Sequence, residues 1–538
     1  MHLHSHTRSI YKKVFDIWKN PDRFTKNPDI VETAEGRHLL VYSDNDQHWS
    51  QVDQILTILA SDDEGKTWYK LSEVDKAIFA NGDERLVTPR LSCLADGRLA
   101  VLIDHDDYGH FHEEQSFGNW IYWSYDGGKT WSDHVETEIP GFEPDRIMDL
   151  PDGRLGVVSH VMRGKSMEFA VVFSVSDDGG KTWKEQATIA HNGYHRFCEG
   201  ALVLLDGGKE FACLMRENHN AGLPGFVAFS RDGGYFWTAP QMLPFHLHRP
   251  YGKELPDGRV LVTGRNLLGG VGTYAWCGDL KAEAGYYEIG GPMAHYEAVF
   301  ANGELIMTNG EGLDCRYTLL PPQDSASEVV FEADLRVEGA DDKAVAFLCV
   351  NGLVMPSINS GVLYIAPNWC MLSDRGVDFA KKIDMRTTRH IRLYSRRGLL
   401  TVEVDGQVLI SQSVFHETAN YGDMYSPVPG GRTQFGQVGE QGKSFWTSVD
   451  YKAVNATQPD YEFHWNASAG QYPDQYQRER LTLIHPNVHP SIKAWPDHGY
   501  SSWLILKDGS ILFVDYSNQG DAPNKSHLVA AKFSPEDI

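Results

Sequence analysis

The residues of this 538-residue chain that could do chemistry recur at matched places. Apolar runs are broken by tight turns at Glu35-Gly36, Asp96-Gly97, Asp152-Gly153, Asp206-Gly207, Asp257-Gly258 and Asp508-Gly509. Six to eight residues before these turns stand Asn27-Pro28, Arg90, Asp145-Arg146, Glu199, Arg249 and Tyr500. The runs after them end at Tyr42-Ser43-Asp44, Asp104-His105, His160, Arg216-Glu217, Arg265-Asn266 and Asp515-Tyr516. If the repeats close into a ring, Arg90, Arg146, Arg216, Arg249 and Arg265 converge on one mouth, with Asp44 beside them. A guanidinium grips a carboxylate bidentately, so the set reads as a cationic funnel for an anionic ligand. The alternative is that each arginine pairs with a carboxylate at a strand edge. His105, His160, His195 and His248 occupy the same mouth, where imidazole suits proton transfer near neutral pH. Arginine neutralising a uronate, with His or Tyr as base, would support β-elimination. His110 and His112 read as solvated. The His246/His248 pair is weak as a metal site without supporting carboxylates, so no metal and no cofactor are expected.

The elements that must position these residues are strands. The octapeptide Ser-x-Asp-x-Gly-x-x-Trp occurs four times, as Ser61–Trp68, Ser124–Trp131, Ser176–Trp183 and Ser230–Trp237, starting 63, 52 and 54 residues apart. Asp and Ser bond the local backbone, Gly accepts a positive φ and Trp packs inward, which makes a rigid hairpin. One unit is strand, Asp-Gly turn, strand, loop, strand, octapeptide, strand. Four antiparallel strands per ~50 residues is the blade of a β-propeller, and six Asp-Gly-type turns imply six blades. In each blade the start of the first strand and the end of the second lie at the end of the ring opposite both turn types. That is where a ligand belongs.

The spacing breaks between Asp257 and Asp508, 251 residues apart. Alternating strand-like runs such as Leu399–Val404, followed by the Asp405-Gly406 turn, predict an inserted lectin-type (concanavalin- or laminin-G-like) jelly-roll sandwich over 283–458. The all-β chain then divides into blades one to five (1–282), the sandwich, and a last blade with ring closure (459–538). A strand near Ile10–Ile17 is expected to close the ring.

Composition narrows the partners. Lys and Arg total 49 against 73 Asp and Glu, a formal charge of −24. That surface repels phosphate backbones and anionic membranes, so neither nucleic acid nor membrane is expected as a partner. Seven scattered cysteines make no disulfide framework or CxxC site and read as buried thiols in a reducing compartment. With no basic and apolar leader at Met1–His6, a cytoplasmic location is the expectation.

The octapeptides resemble the Asp-box (BNR) repeats of the sialidase, or neuraminidase, superfamily, over roughly 25–282 and 459–538. Gly499-Tyr500-Ser-Ser-Trp-Leu-Ile-Leu-Lys-Asp-Gly is similar to the last-blade motif holding the tyrosine nucleophile. Cys198-Glu199-Gly-Ala, with Leu214-Met215-Arg216, is similar to the blade-four motif. The resemblance implies Glu199 as the base for Tyr500, and Arg216 and Arg265 as two of three carboxylate-binding arginines. It implies a blade-one aspartate as general acid, for which Asp44, Asp46 and Asp53 are available and Asp46 is preferred. A phenol of pKa ~10 attacks at neutral pH only if a neighbouring carboxylate takes its proton, and a neutral phenol does not repel a substrate carboxylate. The third arginine is replaced: Lys26-Asn27-Pro28 stands where the family has Arg-Ile-Pro. The expected function is a retaining exo-glycosidase acting on a terminal acidic sugar of an oligosaccharide or glycan. The alternatives are a lyase or uronic-acid-directed glycosidase with His105 among its acid–base groups, and a non-catalytic carbohydrate-binding propeller.

Overall fold

The structure, a computed structural model, describes residues 8–106, 117–163, 168–192, 195–218, 223–246, 248–266, 271–293, 298–308, 315–321, 327–354, 359–374, 377–396, 399–413, 432–438, 442–486 and 497–538. His110 and His112 lie outside them. Six antiparallel blades form a ring. Blade one is Phe24–Glu32, His38–Asn45, Asp53–Ser61 and Tyr69–Ile78, innermost strand first, and blades two to four repeat that order. Alternate residues of each strand face opposite neighbours, so every blade boundary has its own apolar core. Val203 and Leu205 pack toward Val262 and Trp276 of blade five, while Leu202 packs toward Val158 and Phe173 of blade three.

The octapeptides join the third and fourth strands as expected. In the first, Ser61 Oγ accepts from Gly65 N at 2.9 Å and Asp63 accepts from Thr67 N at 2.8 Å and from its hydroxyl at 2.6 Å. Trp68 Nε1 donates back to Gly65 O at 3.0 Å. These bonds hold the Asp63 carboxyl down at about 2.

The topology explains why there are four octapeptides and six blades. Blade five contains His248–Glu254, Val260–Asn266 and Gly272–Gly278, and its fourth strand is Thr482–Pro486. The insertion replaces its octapeptide. Blade six contains Ser502–Ile505, Ile511–Ser517 and His527–Phe533, and its fourth strand is the N-terminal Val14–Trp18, paired antiparallel with Val14 opposite Ala531. There the chain ends take the octapeptide's place. The predicted closing strand is therefore present, but the insertion lies inside blade five rather than between blades five and six. The return also comes later than 459, because Tyr461–Asn466 still pairs with Lys443–Val454 of the insertion.

That insertion is two antiparallel sheets, of seven and eight strands, facing one another across a shared core. Glu328–Glu338 alternates buried and part-exposed residues along its length, sending Val329, Phe331, Ala333, Leu335 and Val337 inward against Leu348, Leu363, Phe435 and Trp446.

Near the axis the blades are tied by buried charge. Asp29 of blade one accepts from Leu91 N of blade two at 2.8 Å and from Arg146 Nε at 2.9 Å. Arg146 also donates to Ser502 Oγ at 2.6 Å and Ile30 O at 2.7 Å and contacts the Tyr251 hydroxyl. Arg90 lies 3.5 Å from the same Asp29. Asp29 keeps its charge despite burial because both guanidiniums face it. Asp29→Ala strands two buried cations and is expected to cost roughly 3–5 kcal/mol, seen as a lowered thermal midpoint. Asp62→Ala, at the exposed pair with Arg37, should leave the thermal midpoint nearly unchanged.

Candidate active site

Each innermost strand enters the ring through a residue in the left-handed region. Asn27, Thr88, Glu143, Glu199 and Arg249 have φ between 45° and 55°, and Gly499 has 88°. Strand register slips at four of these points, between Lys26 and Asp29, Val87 and Arg90, Cys198 and Ala201, and His248 and Tyr251. A side chain in this conformation costs of order 1–3 kcal/mol and persists only where its surroundings over-determine it. In blade six only glycine fits, since a Cβ on Gly499 would meet Arg265 Cβ at 2.3 Å.

Tyr500, Glu199, Arg216, Arg249 and Arg265 come together. Tyr500 Oη donates to Glu199 Oε1 at 2.7 Å. Arg216 Nη1 donates to the same oxygen at 2.6 Å, and Arg249 N donates to Oε2 at 2.9 Å. Burial opposes the charge on Glu199, but Arg216, Arg249 and Arg265 outweigh it and hold the carboxyl well below the usual range. Burial, then Glu143 and Glu199, raise the Tyr500 phenol well above 10. Tyr500 is therefore a half-buried neutral phenol bonded to an ionised carboxylate.

Glu143, which sequence reasoning missed, completes the group. Its Oε1 accepts from Tyr500 Oη at 3.5 Å, and its Oε2 lies 3.9 Å from His160 Nε2. Burial and the adjacent Glu199 charge raise its pKa above 4.5. The signal was an Xaa-Pro step: Asn27-Pro28, Thr88-Pro89, Glu143-Pro144 and Arg249-Pro250 all mark left-handed positions.

The funnel of five arginines is corrected. Arg90 and Arg146 pair with Asp29, as the alternative reading had it. Arg249 lies 5.5 Å from the Tyr500 ring centre but donates to the carbonyls of Glu143, at 3.1 Å, and Pro144, at 2.9 Å. The Arg265 guanidinium lies 5.8 Å from the Tyr500 ring centre, and its Nε, like those of Arg90, Arg216 and Arg249, has no hydrogen-bond partner among the described residues. Lys26 is buried, with Nζ donating to His48 O at 3.0 Å, and burial lowers its pKa.

The blade-one carboxylates are occupied elsewhere. Asp46 Oδ1 accepts from the amides of Gln51, at 3.0 Å, and Val52, at 3.2 Å. Asp44 and Asp53 are both held by Arg23, at 2.6 and 2.7 Å. Asp46 as general acid and Asp44 as a substrate contact are therefore corrected. His105 hydrogen-bonds Glu84 through Nδ1 and stacks on Trp120 with centroids 4.0 Å apart, and His195 packs on Phe197 and accepts or donates at Asn192, 3.2 Å away. Neither contacts Tyr500 or Glu199. His160 is at the site, its Nδ1 3.4 Å from Glu199 N, and burial pushes its pKa down to about 3. His248 is fully buried beside His246, with burial, Arg216 and His246 all lowering its pKa, so both site histidines stay neutral at physiological pH. Among the described residues no three metal-ligating side chains cluster.

Residues 109–264 match the family described as a BNR repeat-like domain. The ring in which that repeat segment sits is a six-bladed β-propeller. Among solved structures it is similar to a protein of unknown function from Dyadobacter fermentans, at 18% identity over 59% of this chain and 96% of that one, TM-score 0.44. A mutant of Trypanosoma rangeli sialidase displaying trans-sialidase activity aligns at 11% identity over 82% and 96%, TM-score 0.41. Penicillium chrysogenum alpha-L-arabinanase aligns at 18% over 56% and 93%, TM-score 0.40. No curated protein sequence matches the chain. Likeness at these identities carries no side-chain role across, so function rests on the site itself.

Glu143 has a consequence for stability. A carboxyl whose folded pKa lies above its unfolded value binds more protons when folded, so stability falls as pH rises from the unfolded value through the folded one. Glu143→Gln should remove that decline and be at least as stable as the parent at neutral and alkaline pH, measured by thermal melts across pH. Gly499→Ala should lower the melting midpoint and displace Tyr500, seen as lost turnover.

Proposed function

We propose that the protein is a retaining glycoside hydrolase that removes a terminal acidic sugar from an oligosaccharide or glycan. The observation that carries this reading is the 2.7 Å bond from Tyr500 Oη to the ionised Glu199 carboxylate. A binding protein has no use for a nucleophile paired with its own base, whereas a covalent mechanism requires the pair. In the proposed first step Tyr500 Oη bonds to the anomeric carbon as its proton passes to Glu199, while the glycosidic C–O bond breaks and the leaving oxygen takes the electron pair and a proton from an acid. Water then attacks that carbon, its proton going to the same acid's conjugate base, and the phenol oxygen recovers its proton from Glu199 as the sugar leaves.

The acidic-sugar part follows from charge. Arg265 and Arg216 border Tyr500, and a carboxylate on the reacting carbon would meet cations there, beside a nucleophile that carries no charge. Lys26, which stands where the resemblance has a third arginine, is buried and bonds His48 O, so the reading favours a sugar carboxylate held by two guanidiniums.

Aryl glycosides of sialic, ketodeoxyoctonic, glucuronic and neutral sugars, run beside natural acidic oligosaccharides, test the substrate class. An acidic sugar should be released with retained anomeric configuration. Tyr500→Phe should lower kcat by about 10³-fold or more with KM little changed, since the loss falls on the transition state. Undiminished turnover by Tyr500→Phe would remove the nucleophile assignment. The ultraviolet absorbance of a conjugated unsaturated uronate would instead identify an eliminating enzyme.

A further inference from the structure

We propose that Glu143 is the proton donor of this site, the residue that protonates the departing sugar oxygen and later takes a proton from the attacking water. The inference rests on the hydrolase reading above and deepens it.

The three aspartates of the blade-one loop are excluded by what they hold. Asp46 caps two amides of its own loop, and Asp44 and Asp53 are bound by Arg23. Glu143 is not spent in this way. Arg249 donates to its backbone carbonyl, not to its carboxyl. Among the described residues the carboxyl has the 3.5 Å contact with Tyr500 Oη and the 3.9 Å approach to His160 Nε2.

The two carboxyls flanking the Tyr500 hydroxyl are built differently. Glu199 receives three donors, and its side chain is 2% exposed. Glu143 receives no short donor among the described residues, and its side chain is 22% exposed. When two carboxyls share a site, the better-solvated-by-donors one takes the charge and the other keeps the proton. The charged groups that face Glu143 include Glu199, Arg249, Asp104, Arg216 and Lys26, whose ammonium is bonded to His48 O, with Tyr500 and His160 in contact. Asp104 adds to the like charge, and neutral His160 removes none of it. The guanidiniums are committed first to Glu199 and to backbone carbonyls.

The step balances. The glycosidic C–O bond breaks, its electron pair goes to the leaving oxygen, and that oxygen takes the proton from Glu143. Tyr500 Oη forms the bond to the anomeric carbon, and its proton goes to Glu199. In the second step water attacks that carbon and gives a proton to Glu143, while the phenol oxygen recovers its own from Glu199. The net change is hydrolysis, with both carboxyls restored.

The test uses the full chain and two glycosides of one acidic sugar, the 4-methylumbelliferyl and the methyl glycoside. Loss of the donor in Glu143→Gln should lower turnover of the methyl glycoside by about 10²–10⁴-fold. The aryl substrate, whose phenol leaves with little protonation, should fall far less at the glycosylation step. The alkaline limb of the parent's pH–rate profile should disappear as well. A readout independent of substrate is the carboxyl ¹³C resonance of labelled glutamate at neutral pH, where a protonated signal should be present in the parent and absent in Glu143→Gln. Equal losses on both substrates with the alkaline limb kept, no loss on either, or no protonated glutamate in the parent would overturn the assignment. A Glu143→Gln enzyme that behaves as the parent while Tyr500→Phe is inactive leaves the hydrolase reading standing without this donor. Full turnover by Tyr500→Phe removes that reading itself.

Discussion

One carboxylate holds the site together. Glu199 takes a phenol proton donor from blade six, a guanidinium from its own blade and a backbone amide from blade five. A buried charge of this kind is tolerable only with every lone pair satisfied, and the ring supplies the donors from segments some 300 positions apart. Burial, with the carboxyls of Glu143 and Glu199, keeps Tyr500 protonated, and burial together with the Glu199 charge presses Glu143 toward the neutral form.

The backbone makes that arrangement possible at a cost repeated around the axis. Left-handed residues, five with side chains and one glycine, stand at the entry to every innermost strand. The strain is sustained by the rigid packing on either side, where each blade boundary has a continuous apolar core. Deeper along the axis, Arg146 joins blades one, three, five and six through Asp29, Ser502, Ile30 and Tyr251. The five arginines therefore divide: Arg90 and Arg146 hold the ring, Arg216 and Arg265 border the phenol, and Arg249 does both, beside the Tyr500 ring and bonded to the carbonyls of Glu143 and Pro144.

Much of the architecture was legible because its signals are local. An octapeptide that bonds its own backbone, or an Asp-Gly turn between apolar runs, announces itself within ten residues. Tyr500, Glu199, Arg216 and Arg265 were legible for the same reason, each lying at a fixed offset from such a turn. Glu143 was not, because its innermost strand is reduced to Met148–Asp149 and its entry lies ahead of it. The insertion's exit was misplaced because Tyr461–Asn466 is an alternating strand like any other, and only pairing tells which sheet it joins.

The sequence by itself determined the number of blades, the turns that end their strands and the places from which side chains could reach a common mouth. Only the tertiary structure decided which of those side chains stay free to act. Repeat position sets where a residue points, but whether a guanidinium or carboxylate meets a ligand or a partner depends on what another blade brings within 3 Å of it. That is why Arg146 and Asp46, which occupy promising offsets, are spent on Asp29 and on two backbone amides.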